Sequence, residues 1–183
     1  MIIEAALDLI RESGWESVSA RSLASRLGTS TMPIYSTVGS MEDLKREALR
    51  AASRLIDAAQ RKRRSDNEAL DLALGYVIFA KEEPRLFRFI VSAQANMERL
   101  VPEAADGEGF EDSFGARQST RELFRELAAR GSKSDFVLRT WIFSYGLAEL
   151  VSGGGVEMDE AEISRHLTAA GGAFYLYDRD IKE

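Results

Sequence analysis

Apolar residues recur at three- and four-residue intervals through almost the whole chain, and no β-branched run alternates strictly with polar residues. That period is the mark of helices with one buried face, so the sequence predicts an all-α fold. Glycine, serine and proline divide it into about nine helices. The first spans Ile2–Ser13, with Ile3, Ala6, Leu7 and Ile10 on one face and Gly14 as its stop. Ser19 caps a second that Gly28 ends. Ser30 caps a third over about residues 31–37, with Pro33 in the first turn, where a missing N–H costs nothing. Ser40 with Asp43 resembles a capping box and opens a long fourth helix along Leu44, Ala48, Ala52, Leu55 and Ala59 to the basic cluster Arg61–Arg64.

Ser65-Asp66-Asn67 starts a helix that is apolar nearly all round, as helices buried on most sides are. Pro84 opens the next, with Leu86, Phe87, Phe89 and Ile90 inside it. Residues 101–113 read as a long polar loop, residues 113–130 as a helix, and residues 135–152 as another that stops at Gly153-Gly154-Gly155. Asp159 with Glu162 opens the last, to about Tyr177. No internal repeat and no low-complexity tract interrupts the pattern.

Composition removes several function classes. The chain has 183 residues, a length suited to one compact domain or one with a small appendage. It contains no cysteine, which excludes disulfides, thiolate metal sites and cysteine nucleophiles. His166 is the only histidine and reads as a surface or interface residue. The acidic residues of 98–112 have no histidine or cysteine beside them and read as a solvating linker, so no metal site and no cofactor is expected. No apolar run is long enough for a membrane span and the N-terminus lacks a basic leader, so a cytoplasmic protein with no membrane partner is expected. The net charge is −6, but residues 1–64 carry 11 Lys/Arg against 8 Asp/Glu, and the remainder 13 against 22. A basic first third on an acidic remainder is the asymmetry of a chain whose one end meets a polyanion.

Residues 19–44 (SARSLASRLGTSTMPIYSTVGSMEDL) are the informative stretch. Ala24 and Gly28, four apart, supply the small residue and the turn glycine of a helix-turn-helix; Leu23, Leu27 and Ile34 supply its small core. Thr31, Met32, Ser36, Thr37 and Tyr35 remain on the second helix, a face suited to the major groove of DNA.

The run Gly28-Thr29-Ser30-Thr31-Met32-Pro33-Ile34-Tyr35 followed by Ser40-Met41-Glu42-Asp43-Leu44 resembles the DNA-binding signature of TetR-type transcriptional regulators. Gly14-Trp15-Glu16-Ser17-Val18-Ser19, Phe79-Ala80 and Pro84-Arg85-Leu86-Phe87 fit the same family, as do the length and helix order. The likeness is strong over about residues 5–50 and loose beyond. Two positions depart from the pattern: Val38 stands where the family has phenylalanine, and Met41 where it has a lysine that meets the DNA backbone. The resemblance implies a helix-turn-helix domain over residues 1–45 and a helical-bundle domain for ligand binding and dimerisation over residues 46–183. It places Ser30, Thr31, Met32, Tyr35 and Ser36 toward DNA, with Ser30 and Tyr35 on phosphates and Thr31 and Met32 at base edges. Arg21 and Arg26 read either as solvated helix charges or as phosphate contacts, and Arg21 joins the candidate DNA-binding set.

The resemblance also implies a small-molecule cavity among the aromatic residues of the bundle. Tyr76, Phe79, Trp141 and Tyr145 are the first candidates for its wall, since size or polar atoms suit them to it. A stripe of Ile163, Leu167, Ala170 and Phe174, with small residues at 169 and 171–173, is the expected dimer interface, with Trp141 and Leu150 on the preceding helix. The expected function is a non-enzymatic, ligand-responsive regulator, a repressor released from a double-stranded palindromic operator by a small apolar effector and acting as a homodimer. The alternative from the residues is a helical small-molecule-binding or scaffold protein that has lost DNA binding. An enzyme comes third, because these residues assemble no triad, metal constellation or nucleotide loop.

Overall fold

The computed structural model describes residues 1–98 and 134–180. Among them are eight α-helices, one 3-10 turn and no strand. The helices are α1 (Ile2–Ser13), α2 (Ala20–Leu27), α3 (Thr31–Val38), α4 (Met41–Arg61), α5 (Glu68–Glu82), α6 (Pro84–Glu98), α7 (Ser134–Ser152) and α8 (Glu160–Asp180). The expected loop at 101–113 and helix at 113–130 lie outside the described residues. Packing gathers the described chain into two units, one of residues 1–55 with 83–98, the other of residues 56–82 with 134–180.

In the first unit α1 packs against α2 and α6, and α2 packs against α3. The core is formed by Ala6, Leu7 and Ile10 of α1, Leu23 and Ala24 of α2, and Ile34 of α3. Leu44, Ala48, Leu49 and Ala52 of α4 and Leu86, Phe87, Phe89 and Ile90 of α6 complete it. On α4 the buried stripe includes Leu49, Ala51 and Ile56, while Leu55, expected inside, is partly exposed. Polar contacts fix the joint between α1 and α6. Arg11 Nε donates to both carboxylate oxygens of Glu83 at 3.0 Å, and Arg85 Nη1 donates to the Arg11 carbonyl at 2.7 Å. The Trp15 ring, in the 3-10 turn, stacks on Phe89 with centroids 5.2 Å apart, and the Lys45 ammonium lies 5.7 Å from its centroid.

In the second unit α5 packs against α7 and α8, which also pack on each other. Leu72, Leu74, Val77, Ile78, Phe79 and Ala80 bury most sides of α5, as its all-round apolarity requires. Gly75 is its close-approach point: a Cβ there would sit 2.3 Å from the Ala59 carbonyl oxygen. The α4–α5 corner turns around Asp71, which is buried. Its carboxylate accepts the backbone N–H of Arg64 at 2.9 Å, that of Ser65 at 3.1 Å and the Ser65 hydroxyl at 2.8 Å. Arg64, the last of the basic cluster, donates to the Ala59 and Lys62 carbonyls. At the other end of the unit Lys81 Nζ donates to the Met158 carbonyl at 2.6 Å, and Arg139 pairs with Asp178 while its guanidinium lies over the Tyr177 ring.

The Arg64 backbone N–H, followed by the bonds from Ser65, holds the Asp71 carboxyl below its ordinary value. A group depressed on folding contributes stability that is present above its unfolded value, near 4, and lost as pH falls through the folded one. Asp71→Asn should therefore lower the thermal midpoint at pH 7 and flatten its fall as the pH drops below about 4. Melting curves followed by circular dichroism across that range check it. An unchanged acid limb would mean that another carboxylate carries the effect.

Candidate nucleic-acid interface

α2 begins with a complete capping box. The Ser19 hydroxyl accepts the Ser22 N–H at 3.1 Å, and the Ser22 hydroxyl accepts the Ser19 N–H at 2.9 Å. Such a cap is worth about 1 kcal/mol. α2 ends at Gly28 with φ +64°, a left-handed conformation that glycine alone adopts without cost, and the Thr29 N–H closes the end on the Ala24 carbonyl at 2.9 Å. No atom lies within 4 Å of a Cβ at Gly28, so its conformation and not a close approach demands glycine.

α3 is then presented with one buried residue, Ile34, which packs into the core with Leu23. Ser30, Thr31, Met32, Pro33, Tyr35, Ser36 and Thr37 are all exposed. Met32 is 75% exposed and Tyr35 47%, values that set them apart from the core apolars. Five sequence candidates for DNA, Ser30, Thr31, Met32, Tyr35 and Ser36, thus share one exposed helix and its start, and Arg21 is exposed on α2. Thr37, read from sequence on the same face, is exposed with them, and Pro33, which the sequence reading did not place toward DNA, belongs to the same surface, since Ile34 is the only buried residue of the helix.

One expectation fails at this helix. Ser30 stands at the N-cap but its side chain makes no capping bond. A cap serine accepts from the second or third helical N–H, and the third residue here is Pro33, which has none. The proline is tolerated in the first turn, but one of the two donors open to the cap is lost with its N–H.

α4 opens on the box that its sequence announces: Ser40 N–H donates to Asp43 Oδ2 at 3.1 Å, and Asp43 N–H to the Ser40 hydroxyl at 3.1 Å. The Ser40 hydroxyl chiefly, with Arg46 adding, holds the Asp43 carboxyl below its usual range. Val38 is half-buried and lines an open cleft of about 690 Å³ with Met1, Ile2, Ile3, Thr37, Asp43 and Glu47.

The positive charge counted in the first third is largely spent locally. Arg26 pairs with Glu12, which raises the arginine's own value and lowers that of the carboxyl. Arg46 pairs with Asp43 and Arg50 with Glu47. Of the two arginines that the sequence offered to phosphates, Arg26 is thus engaged within its own unit. Arg21 makes no ion pair among the described residues.

The remaining candidates lie in the second unit. Trp141 and Tyr145 form a tilted ring pair at 5.7 Å on α7. The Tyr76 hydroxyl on α5 is pushed above its ordinary value, chiefly by burial and then by Tyr145 and Glu149 beside it. Tyr76, Trp141 and Tyr145 therefore come together, whereas Phe79 is a core residue at 5% exposure.

Of the expected dimer stripe, Ile163 is fully buried and Leu167 nearly so within this chain's own unit. Ala170 and Phe174 are half-buried, with Phe174 edge-on to Phe143 at 6.3 Å. The exposed large apolar residues of these two helices are Leu138, Trp141, Ile142 and Leu150 on α7 and Tyr175, Leu176 and Tyr177 on α8. No helix among the described residues is long and apolar enough to cross a membrane.

No family model matches the chain. Over 87 residues it is 33% identical to an uncharacterised HTH-type transcriptional regulator of Mycobacterium tuberculosis. That stretch is 45% of this chain and 40% of the relative, so the match spans less than half of that protein's length. Two solved structures are alike over nearly the whole chain. One, from Mesorhizobium loti and assigned to the TetR family of transcriptional regulators, superposes with a TM-score of 0.63 at 20% identity, covering 96% of this chain and 94% of that one. The other, a TetR-like transcriptional regulator from a Rhodococcus species, gives 0.55 at 14%, covering 93% and 91%. At these identities the likeness is one of fold: the chain has the fold of TetR-type regulators.

Proposed function

We propose that this chain is a DNA-binding transcriptional regulator of the TetR type, working as a homodimer and as a repressor released by a small apolar effector. The observation that carries the reading is the exposed side of α3. A helix that buries only Ile34 and shows Thr31, Met32, Tyr35, Ser36 and Thr37 to solvent, held by a capped α2 and a glycine turn, suits the second helix of a helix-turn-helix. Residues 1–45 form the DNA-binding part in this reading and residues 46–183 the effector and dimerisation part. Ser30 and Tyr35 meet phosphates with Arg21, while Thr31 and Met32 approach base edges. Because Arg26 and Arg46 are committed to carboxylates, few phosphates are neutralised, and the salt dependence of binding is shallow for a dimer.

In this reading the effector site lies at Tyr76, Trp141 and Tyr145, where a half-buried phenol and two further aromatic rings offer apolar area with few polar atoms. An effector releases DNA only to the extent that it binds the released conformation more tightly than the bound one. Selection from a pool of random duplexes tests the reading. Enrichment of a palindromic sequence supports it, and a pool that remains random after repeated rounds contradicts it.

A further inference from the structure

The side chains on the exposed side of α3 restrict what this helix can read. Thr31, Met32, Pro33, Tyr35, Ser36 and Thr37 include no arginine or lysine, the residues that grip guanine O6 and N7. They include no asparagine or glutamine, which pair with adenine N6 and N7. Two of the three aliphatic hydroxyls already use their donor: Ser36 Oγ donates to the Pro33 carbonyl at 3.1 Å and Thr37 Oγ1 to the same carbonyl at 2.8 Å. Their protons are therefore turned into the helix. What α3 offers in quantity is apolar surface, above all the thioether chain of Met32 in the N-terminal turn. That turn of a recognition helix is the one that meets base edges. The major groove carries one apolar group, the C5-methyl of thymine.

We infer that α3 reads its half-site mainly through thymine C5-methyl groups packed against Met32, with the Thr31 methyl beside it, and carries no bidentate base contact. The inference rests on the DNA-binding reading above and adds to it the chemical class of the sequence read. Met32 is then the specificity-determining residue, and the half-site has thymines where the N-terminal turn of α3 enters the groove.

The test uses the duplex recovered by selection, with each thymine of a half-site replaced in turn by deoxyuridine, which removes the methyl and leaves every hydrogen-bonding atom. Dissociation constants come from fluorescence anisotropy with the intact protein and with Met32→Ala. At one or two positions uridine should weaken binding by about fourfold in one half-site and about fifteenfold in both, the equivalent of ~0.8 kcal/mol per buried carbon. In Met32→Ala the same replacement should cost less than twofold, because the partner of the methyl is gone. Exposure of Met32 makes this variant safe for folding. Binding that is indifferent to uridine at every position, or an equal uridine penalty in both proteins, overturns the inference and leaves the regulator reading standing. Failure to recover any duplex overturns that reading and this inference with it.

Discussion

Gly75→Ala is expected to destabilise the second unit by about 3 kcal/mol or more, a larger loss than its single added carbon suggests. The new Cβ would stand 2.3 Å from the Ala59 carbonyl oxygen, 2.5 Å from Gln60 Cα and 2.7 Å from the Ala59 carbonyl carbon. All three are backbone atoms of α4 and cannot rotate away, so α4 and α5 must separate. Alanine recovers about 1 kcal/mol of helix propensity, which offsets only part of the clash. For a chain of this size the thermal midpoint should fall by roughly 6–12 °C. Thermal unfolding followed at 222 nm reads this directly. A midpoint within 2 °C of the parent would mean that the two helices do not approach this closely.

Ile142→Glu should break the proposed homodimer without unfolding the chain. Ile142 is 56% exposed on α7, near Leu138 and Trp141, and α8 adds Tyr175 and Leu176 as further uncovered apolar residues. A two-fold interface brings the same patch together from both copies, so one substitution introduces two unpaired carboxylates. At roughly 3–5 kcal/mol for uncompensated buried charge, the dissociation constant should rise by a factor of about 100 to several thousand. Sedimentation velocity at micromolar concentration should show a dimer for the parent and a monomer for the variant, with far-ultraviolet dichroism unchanged. Ile163→Glu separates the two roles of these helices: that side chain is fully buried in its own unit, so it should lose structure rather than dimerisation alone. A monomeric parent, or a variant that stays dimeric, contradicts this interface.

Local features carried most of the architecture into the sequence. The bounds of α1 follow from its stripe and Gly14, and those of α2 from the Ser19 cap and Gly28. The boxes at Ser40–Asp43 and Asp159–Glu162 form as their spacing announces, the latter with Asp159 N–H on Glu162 and Glu162 N–H on Asp159. Each is set within four residues, where spacing alone fixes geometry. The missing Ser30 cap is equally local: Pro33 at the third helical position removes one of the two donors that a cap hydroxyl can use, and its placement in the first turn hides that cost.

What sequence did not show is what depends on partners distant along the chain. Glu12 and Arg26 are fourteen residues apart, and only the packing of α1 against α2 brings them together. Ile163 and Leu167 look the same in sequence whether they face their own chain or a second copy, because periodicity marks a face as apolar without naming what covers it. α8 has apolar residues on more than one side, and Tyr175, Leu176 and Tyr177, which are exposed, interrupt its period where the stripe of Ile163 and Leu167 keeps it. Gly75 inside α5 is itself a sequence signal, since a glycine within a helix costs about 1 kcal/mol and invites a packing reason.

Hydroxyl-radical footprinting of the parent protein on the selected duplex tests the role of the exposed side of α3 most directly. A homodimer that lays one α3 in each of two major grooves should protect two half-sites related by a dyad. Their centres should lie about 34–36 Å apart along the duplex, or an integer multiple of that turn. A single protected stretch, or uniform weak protection along the whole duplex, would contradict it.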